Sequence, residues 1–165
     1  MTQPIVIPYR RKRAGRTDYR KRLVLLKSGL PRLVVRMSNR NAQVQLVRYA
    51  PDGDQVIATA RATDLGKLGW KAPTGNTPAA YLTGLLIAKK VAGKTTGDVI
   101  LDIGLQTHHH GGRIYAVVKG AIDGGLPIRV SEEVLPPPER LNGAHINDGL
   151  PAQVEAVKKK MSDAP

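Results

Sequence analysis

The chain has 165 residues and carries 26 Lys plus Arg against 13 Asp plus Glu, a formal charge of +13, which suits one domain with a real core and flanking tails. It contains no Cys, so a disulfide framework, a thiolate zinc site and a Cys nucleophile are excluded. No run approaches the ~20 apolar residues of a membrane helix, and the arginines follow a start without a signal-like apolar stretch, so no membrane partner and a cytoplasmic location are expected. Residues 1–50 hold 13 basic residues and one acid, Asp18, whereas residues 51–165 hold 13 basic and 12 acidic ones. The chain therefore reads as a near-neutral protein with a basic front end. One Trp, five Tyr and no Phe argue against a sheet of base-stacking aromatics.

Residues 1–16 form a Pro-interrupted, Arg-rich arm, Tyr9-Arg10-Arg11-Lys12-Arg13-Ala14-Gly15-Arg16, with nothing to bury. Thr17 or Asp18 offers an N-cap, and Tyr19, Leu23, Leu26 and Leu30 recur at helical spacing before Ser28-Gly29 ends the element. That apolar stripe is expected to serve the core. Three strands follow: Leu33, Val35 and Met37 alternating with Arg32, Val34 and Arg36; Ala42, Val44 and Leu46; and Val56 to Arg61 after the turn Pro51-Asp52-Gly53-Asp54. Short connections predict an antiparallel meander, one face of which carries Arg32 and Arg36, with Arg40 in the first turn.

Thr77 with Pro78 opens a helix that runs to about Ala92, with Gly93 closing it. Val99 to Ile103 reads as a buried strand and Arg113 to Ile122 as a second core helix ending at Gly124-Gly125. The strand–helix–strand order implies at least one parallel pairing, hence an α/β or α+β fold with a mixed sheet. Residues 126–150 are Pro- and Gly-rich and read as an extended arm with one helical turn near Leu141 to Ile146, and Pro151 to Met161 as a short terminal helix. The division expected is a basic arm over 1–16, a globular nucleic-acid-binding domain over 17–125 and a C-terminal arm over 126–165.

The front end carries the strongest chemical signal. Dense cationic side chains bind polyanions by releasing condensed counterions, and Arg outnumbers Lys nine to three in residues 1–40, which favours bidentate contact with phosphate or guanine. Tyr9 and Tyr19 could stack on bases. The run His108-His109-His110 has neither the spacing nor the companions of a metal site and reads as a solvated loop. Gly93-Lys94-Thr95-Thr96 resembles the tail of a phosphate-binding loop, but position 88 is Ala and the helix precedes the segment, so that motif is rejected. Asp102 could be one carboxylate of a two-metal nuclease; the other reading is a structural Asp at a strand end.

Arg16-Thr17-Asp18-Tyr19, Leu25-Leu26-Lys27-Ser28-Gly29, Pro31-Arg32-Leu33-Val34, Ser38-Asn39, Gly69 to Asn76, Ala80 to Leu86, Leu101 to Leu105, Gly120 to Leu126 and Gly143 to Ile146 follow in the order found in large-subunit ribosomal protein L-eighteen. Over about residues 9–147 the chain resembles that family in its archaeal and eukaryotic form. The resemblance implies a sheet of three antiparallel strands and one parallel strand with packed helices. It also implies a non-catalytic protein without cofactor, which binds 5S ribosomal RNA and anchors it in the central protuberance. The partners so implied are 5S ribosomal RNA, 23S ribosomal RNA and other central-protuberance proteins, among them the second 5S-binding protein. Carried onto this chain, the RNA-contacting set is Tyr9, Arg10, Arg11, Lys12, Arg13, Arg16, Thr17, Tyr19, Arg20, Arg22, Lys27, Arg32, Arg36, Ser38, Asn39 and Arg40, with Thr74 and Asn76 from a loop that matches a family motif. The alternatives are a ribonuclease H-like, metal-dependent nuclease centred on Asp102 and an RNA-binding regulator outside the ribosome.

Overall fold

The computed structural model describes residues 6–94 and 97–163. Residues 1–5 of the basic arm, and Thr95 and Thr96 of the rejected phosphate-loop motif, lie outside the described residues.

Strands β1 (Arg32–Met37), β2 (Ala42–Arg48) and β3 (Gln55–Arg61) form the expected antiparallel meander, and β4 (Ile100–Asp102) adds to β1 in parallel, in the order β3-β2-β1-β4. The fold is therefore α/β with a mixed sheet. Alternation divides the sheet into two faces. Leu33, Val35, Val44, Leu46 and Ala60 are fully buried on one face. On the other lie Arg32, Val34 and Arg36, with Gln43 and Gln45 paired across to the latter two. The β1–β4 register sets Val34 opposite Asp102, so that carboxylate falls between the two arginines on the polar face.

Helices α3 (Thr77–Val91) and α4 (Arg113–Asp123) cover the apolar face. The α3 N-cap is Asn76, whose side chain accepts from Ala79 N, so Pro78 stands second rather than first in the helix. The two helices cross at glycines: a methyl on Gly84 would collide with the Val117 carbonyl, and one on Gly120 with the Tyr81 carbonyl. Close approach here demands the absence of a side chain, although glycine inside a helix costs about 1 kcal/mol.

The terminal helix expected over Pro151 to Met161 is present, but residues 126–163 pack onto the core rather than extending from it. Ile128 bridges to Val99, α5 (Pro138–Asn142) buries Leu141, and α6 (Leu150–Asp163) buries Leu150, Val154, Val157 and Met161. Those four recur at helical spacing and seat α6 against α3, α5 and a 3-10 segment, Ala62–Leu68. At the front end, α1 (Arg10–Arg13) is a single turn and α2 (Tyr19–Lys27) is capped by Asp18; neither buries a residue. The stripe expected to serve the core is left outside it: Leu23 is 54% and Leu30 37% exposed, because the sheet's apolar face is already covered by α3 and α4. Among the described residues no helix is long and apolar enough to cross a membrane.

Gly84→Ala should destabilise the protein by about 1–3 kcal/mol through overpacking, against an intrinsic helix gain of about 1 kcal/mol. A Cβ at Gly66 meets nothing within 4 Å, so Gly66→Ala should stay within about 0.5 kcal/mol of the parent. Urea midpoints of the two variants check the crossing.

Candidate nucleic-acid interface

The polar face is organised by five charges of alternating sign. Arg22 on α2 donates to both Asp54 oxygens, at 3.1 and 3.0 Å. Arg32 on β1 reaches Asp54 at 2.5 Å with one guanidinium nitrogen and Asp102 at 2.8 Å with the other. Arg36, four residues further along the same face of β1, donates to the Asp102 side chain at 3.1 Å and to its carbonyl at 2.7 Å. Burial alone would raise the Asp54 carboxyl; hydrogen bonds from Arg32 and Arg22, with their charges, outweigh it and hold the group below the ordinary carboxylate value.

This arrangement corrects one expectation. Arg32, placed by the sequence on the nucleic-acid surface, is 1% exposed, and its charge is shared between two carboxylates. It is an internal strut. Arg36 keeps 44% of its side chain exposed and Arg22 36%, so the chain of charges ends in accessible guanidinium groups on both sides.

Around it lie the remaining front-end cations. Arg10, Arg11, Lys12, Arg13, Arg16, Arg20 and Lys27 are exposed. Arg11 Nε donates to Thr17 Oγ1 at 2.9 Å, and the Tyr9 and Tyr19 rings lie 5.3 Å apart, tilted by 48°. A cleft of about 580 Å³ opens between α2 and the end of β4, with Arg16, Arg20 and Arg36 beside Leu101 and Leu105.

A second cluster forms at the β1–β2 turn. Ser38 Oγ donates to the Asn41 carbonyl at 3.1 Å and accepts from Asn41 N at 3.0 Å. Thr74 donates to the Arg40 carbonyl, and a methyl on Gly75 would strike the Asn39 carbonyl. Arg113, at the start of α4, donates to the carbonyls of Ser38 at 3.2 Å and Gly75 at 2.8 Å. The 38–41 turn and the 73–76 loop are thus stitched into one ledge that leaves Asn39 and Arg40 exposed. Within it the Asn76 side-chain oxygen Oδ1 is committed to capping α3 and the Thr74 hydroxyl to the turn.

The acids that a nuclease would need are apart. Asp102 accepts from Arg32, Arg36 and the Gly104 amide. Asp98 pairs with Arg129 at 2.6 Å, and Asp123 accepts from Tyr81 at 2.9 Å and Lys119 at 2.7 Å. Burial, then the Asp123 bond, pushes the Tyr81 phenol upward, so it remains a donor. Among the described residues no group of three His, Asp or Glu is placed to hold a metal ion. His108, His109 and His110 are exposed, the first and third edge-on to Tyr115.

Residues 6–98 match the family described as ribosomal large subunit proteins 60S L5 and 50S L18. The chain belongs to this family. Among its relatives, the large ribosomal subunit protein uL18 of Haloarcula marismortui is 49% identical over 140 residues, covering 85% of this chain and 75% of the relative. The uL18 proteins of Halobacterium salinarum and Natronomonas pharaonis are equally similar, each with 76% of the relative covered. As a large-subunit ribosomal protein of archaeal type, the chain is a structural component of the translation machinery and resides in the cytoplasm.

Two residues that organise the site of this ribosomal protein escaped the sequence reading. Asp54 read only as part of a turn, and Arg113 only as the start of a helix. The available signal for Asp54 was an acid directly after Gly53, at the end of a strand pair whose face carries arginines.

Asp54 links stability to pH with a definite sign. Its folded-state pKa is lowered, so its contribution is complete above the ordinary Asp value of about 4 and is lost as pH falls through the folded value. Urea midpoints measured between about pH 5 and pH 2 should show the parent losing its advantage over Asp54→Asn as acid is added. A difference that is constant with pH would contradict the ion-pair account.

Proposed function

We propose that this ribosomal protein binds 5S ribosomal RNA and helps to anchor it in the central protuberance of the large subunit. The observation that carries the reading is a continuous cationic surface. It runs from α1 through α2 to the exposed end of the Arg36 guanidinium and contains ten exposed or half-exposed Lys and Arg side chains from Arg10 to Arg36. Phosphates along one RNA segment would meet two kinds of partner. Residues 6–16 of the arm, which are all exposed, adapt to the RNA backbone as they bind. Arg22 and Arg36 are held in place beforehand. Asn39 and Arg40 on the turn ledge extend the surface, and Thr74 and Asn76 shape it. Tyr9 and Tyr19 supply rings for bases. The RNA contacts are thus assigned to the surface cations, with Arg32 acting beneath them. Neighbours on the remaining surface are 23S ribosomal RNA and other central-protuberance proteins, including the second 5S-binding protein.

The nuclease alternative lacks a favouring observation, since the Asp102 oxygens already serve two arginines and an amide. Incubation of the protein with RNA and Mg²⁺ should give no cleavage that Asp102→Asn abolishes.

Filter binding of 5S RNA should give a slope of log affinity against log salt of about 4–7 in magnitude, from ~6–8 phosphates. Deletion of residues 1–16 should weaken binding by several kcal/mol, lower that slope and leave a cooperative fold. A slope near zero, or full affinity without the arm, would overturn the reading. Footprinting of 5S RNA with the full and truncated chains locates the two parts of the surface. Absence of the protein from large subunits sedimented at moderate salt would favour a regulator outside the ribosome.

A further inference from the structure

Helix α2 has four cationic side chains among its nine residues, Arg20, Lys21, Arg22 and Lys27, yet little apolar packing holds it, with Leu25 and Leu26 only half-buried. It buries no residue, and Leu23 and Val24 are 54% and 70% exposed. Its hydrogen bonds do not place it either, with one exception. Among the described residues, every other hydrogen bond made by residues 9–30 stays within that segment, as in the Asp18 cap and the Arg11–Thr17 bond. The exception is Arg22, which grips both oxygens of Asp54. Asp54 is itself held from beneath by the buried Arg32.

We propose that Asp54 is a positioning residue, which docks the basic helix α2 on the sheet through Arg22 and so sets the spacing between the α2 cations and Arg36. The inference rests on the 5S RNA reading and deepens it. Asp54 touches no RNA in this scheme and acts through Arg22. An acid on a phosphate-binding face otherwise only subtracts charge, and general electrostatics makes its removal strengthen polyanion binding. Positioning gives the opposite sign. If loss of Asp54 leaves α2 docked in about a tenth of the molecules, the apparent affinity falls about tenfold.

The chain has no Cys, so two labels can be placed cleanly, at Leu23→Cys on α2 and Lys89→Cys on α3, both exposed. In the free, full-length protein, paramagnetic distance measurements should give a narrow distribution for the labelled parent and a broad one for Asp54→Asn. Arg22→Gln leaves both carboxylates paired with Arg32, so it keeps the fold, and it should broaden the distribution as Asp54→Asn does. Unlabelled Asp54→Asn should bind 5S RNA about tenfold more weakly than the parent, well below its melting temperature and with a salt slope that is not smaller. A distribution that stays narrow in both variants overturns the proposal, as does an affinity for 5S RNA that is unchanged or raised in Asp54→Asn. A parent that does not bind 5S RNA removes the functional reading instead, and the distance distributions then decide the docking role by themselves.

Discussion

Arg32 is 1% exposed and has a carboxylate on each side, Asp54 at 2.5 Å and Asp102 at 2.8 Å. Taking a guanidinium out of water costs several kcal/mol, and attraction to its partners repays this only with good geometry. Here one donor nitrogen serves each carboxylate, and each carboxylate is shared with a second arginine nearer to solvent. What the arrangement supplies is placement. Asp102 belongs to a strand of three residues, whose apolar side is Leu101 with Val99 and Ile103 flanking it. A slip of one residue would carry its side chain to the opposite face, where no arginine waits. The Arg32 contact therefore reinforces the parallel β1–β4 pairing, and through Asp54 it also ties down the turn before β3.

The two sides of the sheet are held by different physics. On the apolar side, α3 and α4 approach through Gly84 and Gly120 until backbone meets backbone, and α6 closes the remaining edge with four buried side chains. Contact there is short-ranged and unforgiving of added volume. On the polar side, long side chains span the distance from helix to sheet, and the separation of α2 from the sheet is set by the reach of an arginine. That leaves a cleft on the polar side.

The meander, the parallel fourth strand and both core helices were legible in the sequence because each has an unbroken period and a clear stop. The helix stripes show where such reading ends. Tyr19, Leu23, Leu26 and Leu30 have the same spacing as Leu150, Val154, Val157 and Met161. The second set is buried and the first is not. Periodicity states that a helix has an apolar side; whether the fold offers that side a partner depends on which surface is already covered, and α3 and α4 take the sheet's apolar face. The interface was legible to a similar depth. The front-end cations other than Arg32 are exposed or half-exposed, and the 38–40 and 74–76 segments meet in one ledge. The burial of Arg32 was not legible, because it depends on two acids that lie 22 and 70 positions away in the chain. The binding roles themselves rest on the proposal.

Asymmetry of charge acquires a structural sense from these acids. A front end of 13 basic residues and one acid in 50 would, left to itself, be a set of mobile cations, each paying rotamer entropy of up to about 2 kcal/mol on being fixed to a phosphate. Asp54 and Asp102 cancel two of the positive charges and in exchange immobilise three arginines before any partner arrives. The surviving charge is then of two kinds: a pre-ordered pair, Arg22 and Arg36, and an arm whose described turn, α1, buries no residue. In the proposed RNA complex, the first kind would set where the polyanion sits and the second how tightly it is wrapped. The division of labour follows from where acids are present and where they are missing, so the sparse negative charges of this protein say as much about its binding surface as the abundant positive ones.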